Sequence, residues 1–109
     1  MPKYLAQFTY TAEAWKTMTQ NPQDRTQTVR ALAEQLGGKL EALYYSFGEY
    51  DGFVIIDMPD SQSATAFVLA ANAPGHLKQT KTTILLTPQE LLEAENKAKG
   101  ISYQGPRSS

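Results

Sequence analysis

The sequence predicts an α+β domain, a split βαββαβ antiparallel sheet with one extra helix at its C-terminal end. Three observations predict it. Phe53-Val54-Ile55-Ile56 is a short unbroken run of β-branched and aromatic residues, the pattern of a central strand covered on both faces. Just before it, Gly48-Glu49-Tyr50-Asp51-Gly52 carries turn residues and follows a second strand pattern from Leu40 to Phe47, so the two strands read as a β-hairpin. Amphipathic helical patterns lie on both sides of that hairpin, and a polar strand pattern follows the second of them.

Taken in order, Tyr4 to Tyr10 is the first strand, with Tyr4, Ala6, Phe8 and Tyr10 on one face and Leu5, Gln7 and Thr9 on the other. Thr11 caps a short helix that carries Glu13 in its first turn and Trp15 and Met18 three apart. Asn21-Pro22-Gln23-Asp24 predicts a new helix start, with Asn21 as cap and Pro22 at the first helical position. Val29, Leu32, Ala33 and Leu36 give that helix one apolar face, and Gly37-Gly38 ends it. After the hairpin, Pro59-Asp60 stops the strand and Asp60 caps a helix from Ser61 to Ala73, with Ala64, Phe67, Val68 and Ala71 facing inward. His76 to Leu86 is the last strand. Its lysines and threonines suit a sheet edge. Thr87-Pro88-Gln89-Glu90 is a capping box that opens a final helix from Pro88 to about Lys99.

This order is the ferredoxin-like pattern, and right-handed crossovers place the first and third strands in the centre. At 109 residues the chain holds one domain, residues 1–100, followed by a Gly-, Pro- and Ser-containing tail, 101–109, expected to be flexible. Ten basic and eleven acidic residues form no basic stripe, so no nucleic-acid partner is expected. The chain has no cysteine, which excludes disulfides and thiolate chemistry. No apolar run approaches membrane-spanning length, and the expected location is cytoplasmic. Both parities of the Phe53–Ile56 strand are apolar, whereas two helices cover one sheet face only. The expected partner of the other face is a second copy, in a homodimer or higher oligomer.

Gly48-Glu49-Tyr50-Asp51, Leu36-Gly37-Gly38-Lys39-Leu40, Met58-Pro59-Asp60 and Thr87-Pro88-Gln89-Glu90, in this order and spacing over about residues 2–95, resemble the GYD domain family. The resemblance implies a dimeric α/β barrel, in which two ferredoxin-like sheets pack face to face. It implies no established activity.

Three residues are candidates for a ligand site: Tyr50 and Asp51 at the hairpin tip, and His76, the single histidine, at the start of the last strand. The bland reading of each is structural: Tyr50 packs on a neighbour, Asp51 holds turn amides, and His76 is exposed or capping. Tyr10, Trp15, Tyr44, Tyr45 and Phe47 either line a cavity or serve core and interface. Asp57 is read as lying at a strand end near solvent. With one histidine and no companion ligands, no metal site is expected, and no phosphate loop or nucleotide motif implies a cofactor. We expect His76 and Tyr50-Asp51 at opposite ends of the sheet, so that a composite site would need two subunits. The leading expectation is therefore a small homo-oligomeric domain of uncharacterised role, leaning non-catalytic, with a candidate small-ligand site at the sheet or oligomer interface. The alternatives are a cofactor-free monooxygenase- or isomerase-type enzyme and a regulatory effector-binding module.

Overall fold

Alternating residues in four strands build the sheet. The computed structural model describes residues 1–107, so Ser108 and Ser109 of the expected tail lie outside the described residues. The elements are β1 (Lys3–Tyr10), α1 (Ala12–Gln20), α2 (Thr26–Gln35), β2 (Lys39–Tyr45), β3 (Gly52–Asp57), α3 (Ser61–Asn72), β4 (Leu77–Leu85) and α4 (Pro88–Ala98). The sheet order is β2-β3-β1-β4 and every neighbouring pair is antiparallel. The buried strand β3 is central and the polar strand β4 is an edge, as expected.

Strand register sorts the side chains into two faces. Leu40, Ile56, Tyr4 and Ile84 form one cross-strand row, and Leu43, Val54, Ala6 and Thr82 the next. Tyr45, Gly52, Phe8 and Thr80 form the third. This face carries the core, in which Tyr4, Ala6, Phe8, Val54 and Ile56 pack with Ala33 of α2, Met58, and Ala64 and Phe67 of α3. The other face has the rows Ala42–Ile55–Leu5–Thr83 and Tyr44–Phe53–Gln7–Lys81. At its end, Lys3 bridges Asp57 at 2.8 Å and Glu41 at 2.6 Å, with Glu41 at an irregularity in the β2–β3 register. Hydrogen bonding to Asp57 and then Glu41 raises the Lys3 ammonium to about 12. Asp57 thus sits at the strand end, paired with a cation, as read from the sequence.

The helix boundaries follow local hydrogen bonding. Thr11, Asp60 and Thr87 each accept a backbone N–H from the first turn of the following helix. The Thr87–Glu90 box is reciprocal, with Glu90 also accepting the Thr87 N–H. The expected start of α2 at Asn21-Pro22 is corrected. Asn21 closes α1, and its N–H donates to the Thr17 carbonyl. Helix α2 begins at Thr26, whose N–H donates to the Asp24 carboxylate at 2.9 Å. Asp24 thus holds the chain in an Asx turn just before α2, and the start is displaced by about one turn from Pro22. At the other end, Gly37 N–H bonds Glu34 and Gly38 N–H bonds Ala33, with Gly37 at φ 80°, a Schellman closure. Gly38 then passes so close to Met58 and the Asp57 carbonyl that a Cβ there would collide at 2.3 Å.

Helices α2 and α3 lie on the core face. Helix α4 stands away from the body. Every one of its eleven residues is exposed, and the molecule extends 58 × 38 × 22 Å. Leu91, Leu92, Ile84 and Leu86 leave apolar surface on and beside it. Residues 101–107 form no helix or strand. Among the described residues no helix is long and apolar enough to cross a membrane.

Candidate functional site

The expected separation of His76 from the hairpin tip is corrected by strand direction. Strands β1 and β3 are themselves antiparallel, so β4, antiparallel to β1, runs with β3 and begins at the same end. The register states this directly: Phe8 pairs with Gly52, and two residues on Tyr10 pairs with Leu77. At the end of β1 the two segments flank the chain. The Asp51 N–H donates to the Phe8 carbonyl, and the Thr11 N–H donates to the His76 carbonyl, both at 2.9 Å. A site involving both segments needs only one subunit.

The three candidate residues have different surroundings. The Asp51 carboxylate accepts the Tyr10 N–H at 2.8 Å and the Trp15 indole N–H at 3.2 Å. It ties the hairpin to the end of β1 and to α1. Tyr50 contributes its carbonyl, which accepts the Ser46 hydroxyl at 2.8 Å, and its ring makes no hydrogen bond among the described residues. His76 is exposed and lines a cavity.

That cavity, about 610 Å³, lies between the core face of the sheet and helices α2 and α3. Its floor is Ala6, Phe8 and Val54, and its walls include Leu32 and Phe67. Small residues leave this space open: Ala6 on the central strand, and Ala71 and the exposed Ala70 at the far end of α3. Two phenols and the single histidine meet at the end shared by His76 and the hairpin. Tyr10 and Tyr45 stack with centroids 6.4 Å apart, and their hydroxyl oxygens are 3.5 Å apart, long for a hydrogen bond between hydroxyls. The Arg25 side chain also lines the cavity. Tyr44 lies on the opposite sheet face and Phe47 is fully exposed on the hairpin loop, so the aromatic set divides.

Burial raises the Tyr10 phenol above its ordinary range, the Tyr45 hydroxyl adds to the shift, and the Arg25 charge opposes it. The phenol is therefore neutral at physiological pH and can donate a hydrogen bond. The folded state keeps a proton that the unfolded chain releases near pH 10, so stability falls as pH rises past 10. Tyrosine absorbance of the native protein is expected to include a phenol that ionises only above the ordinary range, and Tyr10→Phe should remove both that component and its share of the alkaline destabilisation. An unchanged alkaline titration in Tyr10→Phe would contradict this.

Arg25 escaped the sequence reading. Its signal was present: extending the α2 template back by four residues from Val29 puts Arg25, Val29 and Leu32 on one helical face. The template was begun at Val29, so the cation one turn earlier was not placed on that face.

The GYD domain family model matches residues 4–94. No curated protein matches the chain in sequence. Among solved structures, MtbAldR superposes with a TM-score of 0.61 at 13% identity over 79% of this chain and 53% of its own, so this chain spans about half its length. FFRP-DM1 gives 0.56 at 16% identity, over 79% of this chain and all of its own. TTHA0845 from Thermus thermophilus gives 0.52 at 14%, over 80% and 95%. At these identities the likeness establishes the ferredoxin-like fold alone.

Proposed function

The chain belongs to the GYD domain family, and on that premise we propose that it is a self-associating domain that binds a small, largely apolar molecule between its sheet and α2 and α3. The cavity of about 610 Å³ carries this reading. It lies within the size range of small-molecule sites and combines apolar residues with a small number of polar side chains. Self-association rests on a different observation, the sheet face with no helix over it. Ile55, Leu5, Phe53 and Tyr44 stand there in adjacent rows, and a second copy related by a twofold axis is the simplest cover.

An enzymatic reading ranks second. The meeting of His76 with Tyr10 and Tyr45 around one cavity favours it. The Asp51 carboxylate, however, is already engaged by two donors, and a proton-transfer reaction would rest on His76 alone.

The test fills the cavity. Ala71 lines it from α3, and Ala71→Trp introduces a side chain several times larger. The saturable fluorescence enhancement of 1-anilinonaphthalene-8-sulfonate with the native protein is expected to fall about tenfold or more in affinity in Ala71→Trp, while circular dichroism stays native. Equal binding by both folded proteins would refute the placement.

A further inference from the structure

We propose that the cavity selects an amphipathic monocarboxylate, an aromatic or medium-chain acid whose anionic head lies against Arg25 and whose apolar body runs between α2 and α3. This rests on the reading of the cavity as a ligand site. Arg25 lines the cavity and is partly withdrawn from solvent. Among the described residues its guanidinium forms no ion pair and no hydrogen bond. The nearby acids have other partners. Asp24 is turned to Thr26, and Asp51 is turned to Tyr10 N–H and Trp15. Among the described residues no aspartate or glutamate lines the cavity. A partly desolvated cation without a counter-ion favours an anion.

The rest of the lining limits that anion. Two phenols, Tyr10 and Tyr45, and the imidazole of His76 share the lining with Arg25. The Tyr10 phenol keeps its proton, so it can donate to an oxyanion rather than repel it. One guanidinium matches one planar carboxylate in a two-pronged contact. A dianion would leave a second charge poorly compensated against Leu32, Phe67 and Val54. The rest of the lining holds no charge: Thr28 and Gln35 are neutral, and Leu32, Leu43, Phe67 and Val68 are apolar, which rewards a hydrocarbon or aromatic body.

Isothermal titration of 2-naphthoate against its neutral isostere 2-naphthamide tests the assignment. The native protein should bind the acid about tenfold tighter than the amide, the scale of a charge-assisted contact. Arg25→Gln should bring the two within about twofold by weakening the acid alone, and Arg25→Lys should retain part of the preference. Equal binding of acid and amide by the native protein, or a preference that persists in Arg25→Gln, overturns the head-group assignment and leaves the cavity reading standing. Undiminished naphthoate binding by folded Ala71→Trp, or no binding of either probe by the native protein, overturns both.

Discussion

Ile55→Lys is expected to abolish the proposed self-association and leave a folded monomer. Ile55 lies at the middle of the uncovered sheet face, with Leu5 opposite it on one side and Ala42 on the other. In a twofold contact this central row is the part most completely desolvated. An ammonium group there has no partner, and breaking an interface with an unpaired buried charge costs several kcal/mol. Association should weaken at least about a hundredfold, since roughly 2.7 kcal/mol already gives that factor. In the isolated chain Ile55 is only half-buried, so a lysine can turn its charge to water and the melting temperature should change little. Sedimentation velocity at micromolar concentration distinguishes the outcomes. A native protein that is already monomeric would sink the assembly proposal.

Asp51→Ala is expected to lose about 3 kcal/mol of stability, because two hydrogen bonds to one carboxylate disappear together. Its two donors, the Tyr10 N–H and the Trp15 indole N–H, come from elements more than thirty residues away in sequence. The substitution therefore loosens α1 and the hairpin from the end of β1. Asp51→Asn should lose less, since its amide oxygen still accepts, and Tyr50→Phe should be nearly silent because the Tyr50 hydroxyl bonds nothing among the described residues. Urea denaturation measures all three. If Asp51→Ala costs under about 1 kcal/mol, the carboxylate is not the tie described here. If Asp51→Asn abolishes probe binding while stability holds, Asp51 faces the ligand after all.

Much of the architecture was legible. Residues with strong local meaning behaved as such: Thr11, Asp60 and Thr87 cap helices, Gly37 closes one, and Phe53 to Ile56 occupies a central strand. Two kinds of information were harder to extract. Asn21-Pro22 and Asp24 compete as start signals, and only the bond from Thr26 to Asp24 decides between them. The second kind concerns the site. Tyr10 and Tyr45 were visible as aromatics, but a cavity depends on what their neighbours fail to fill, and alanines at 6, 70 and 71 do not announce a void. The relation between His76 and the hairpin follows from strand direction alone. Placing them apart requires the two central strands to run the same way, and they run opposite ways.

Helix α4 has a further consequence for cooperativity. The capping box satisfies its first turn locally, and its residues remain exposed. An eleven-residue helix without tertiary support is marginal in water. The sheet and helices α1 to α3 are therefore expected to unfold together, and α4 to melt separately in an isolated chain. Its persistence as a helix would then depend on what its exposed Leu91 and Leu92 side chains touch, so the order of this segment would report on company rather than on sequence.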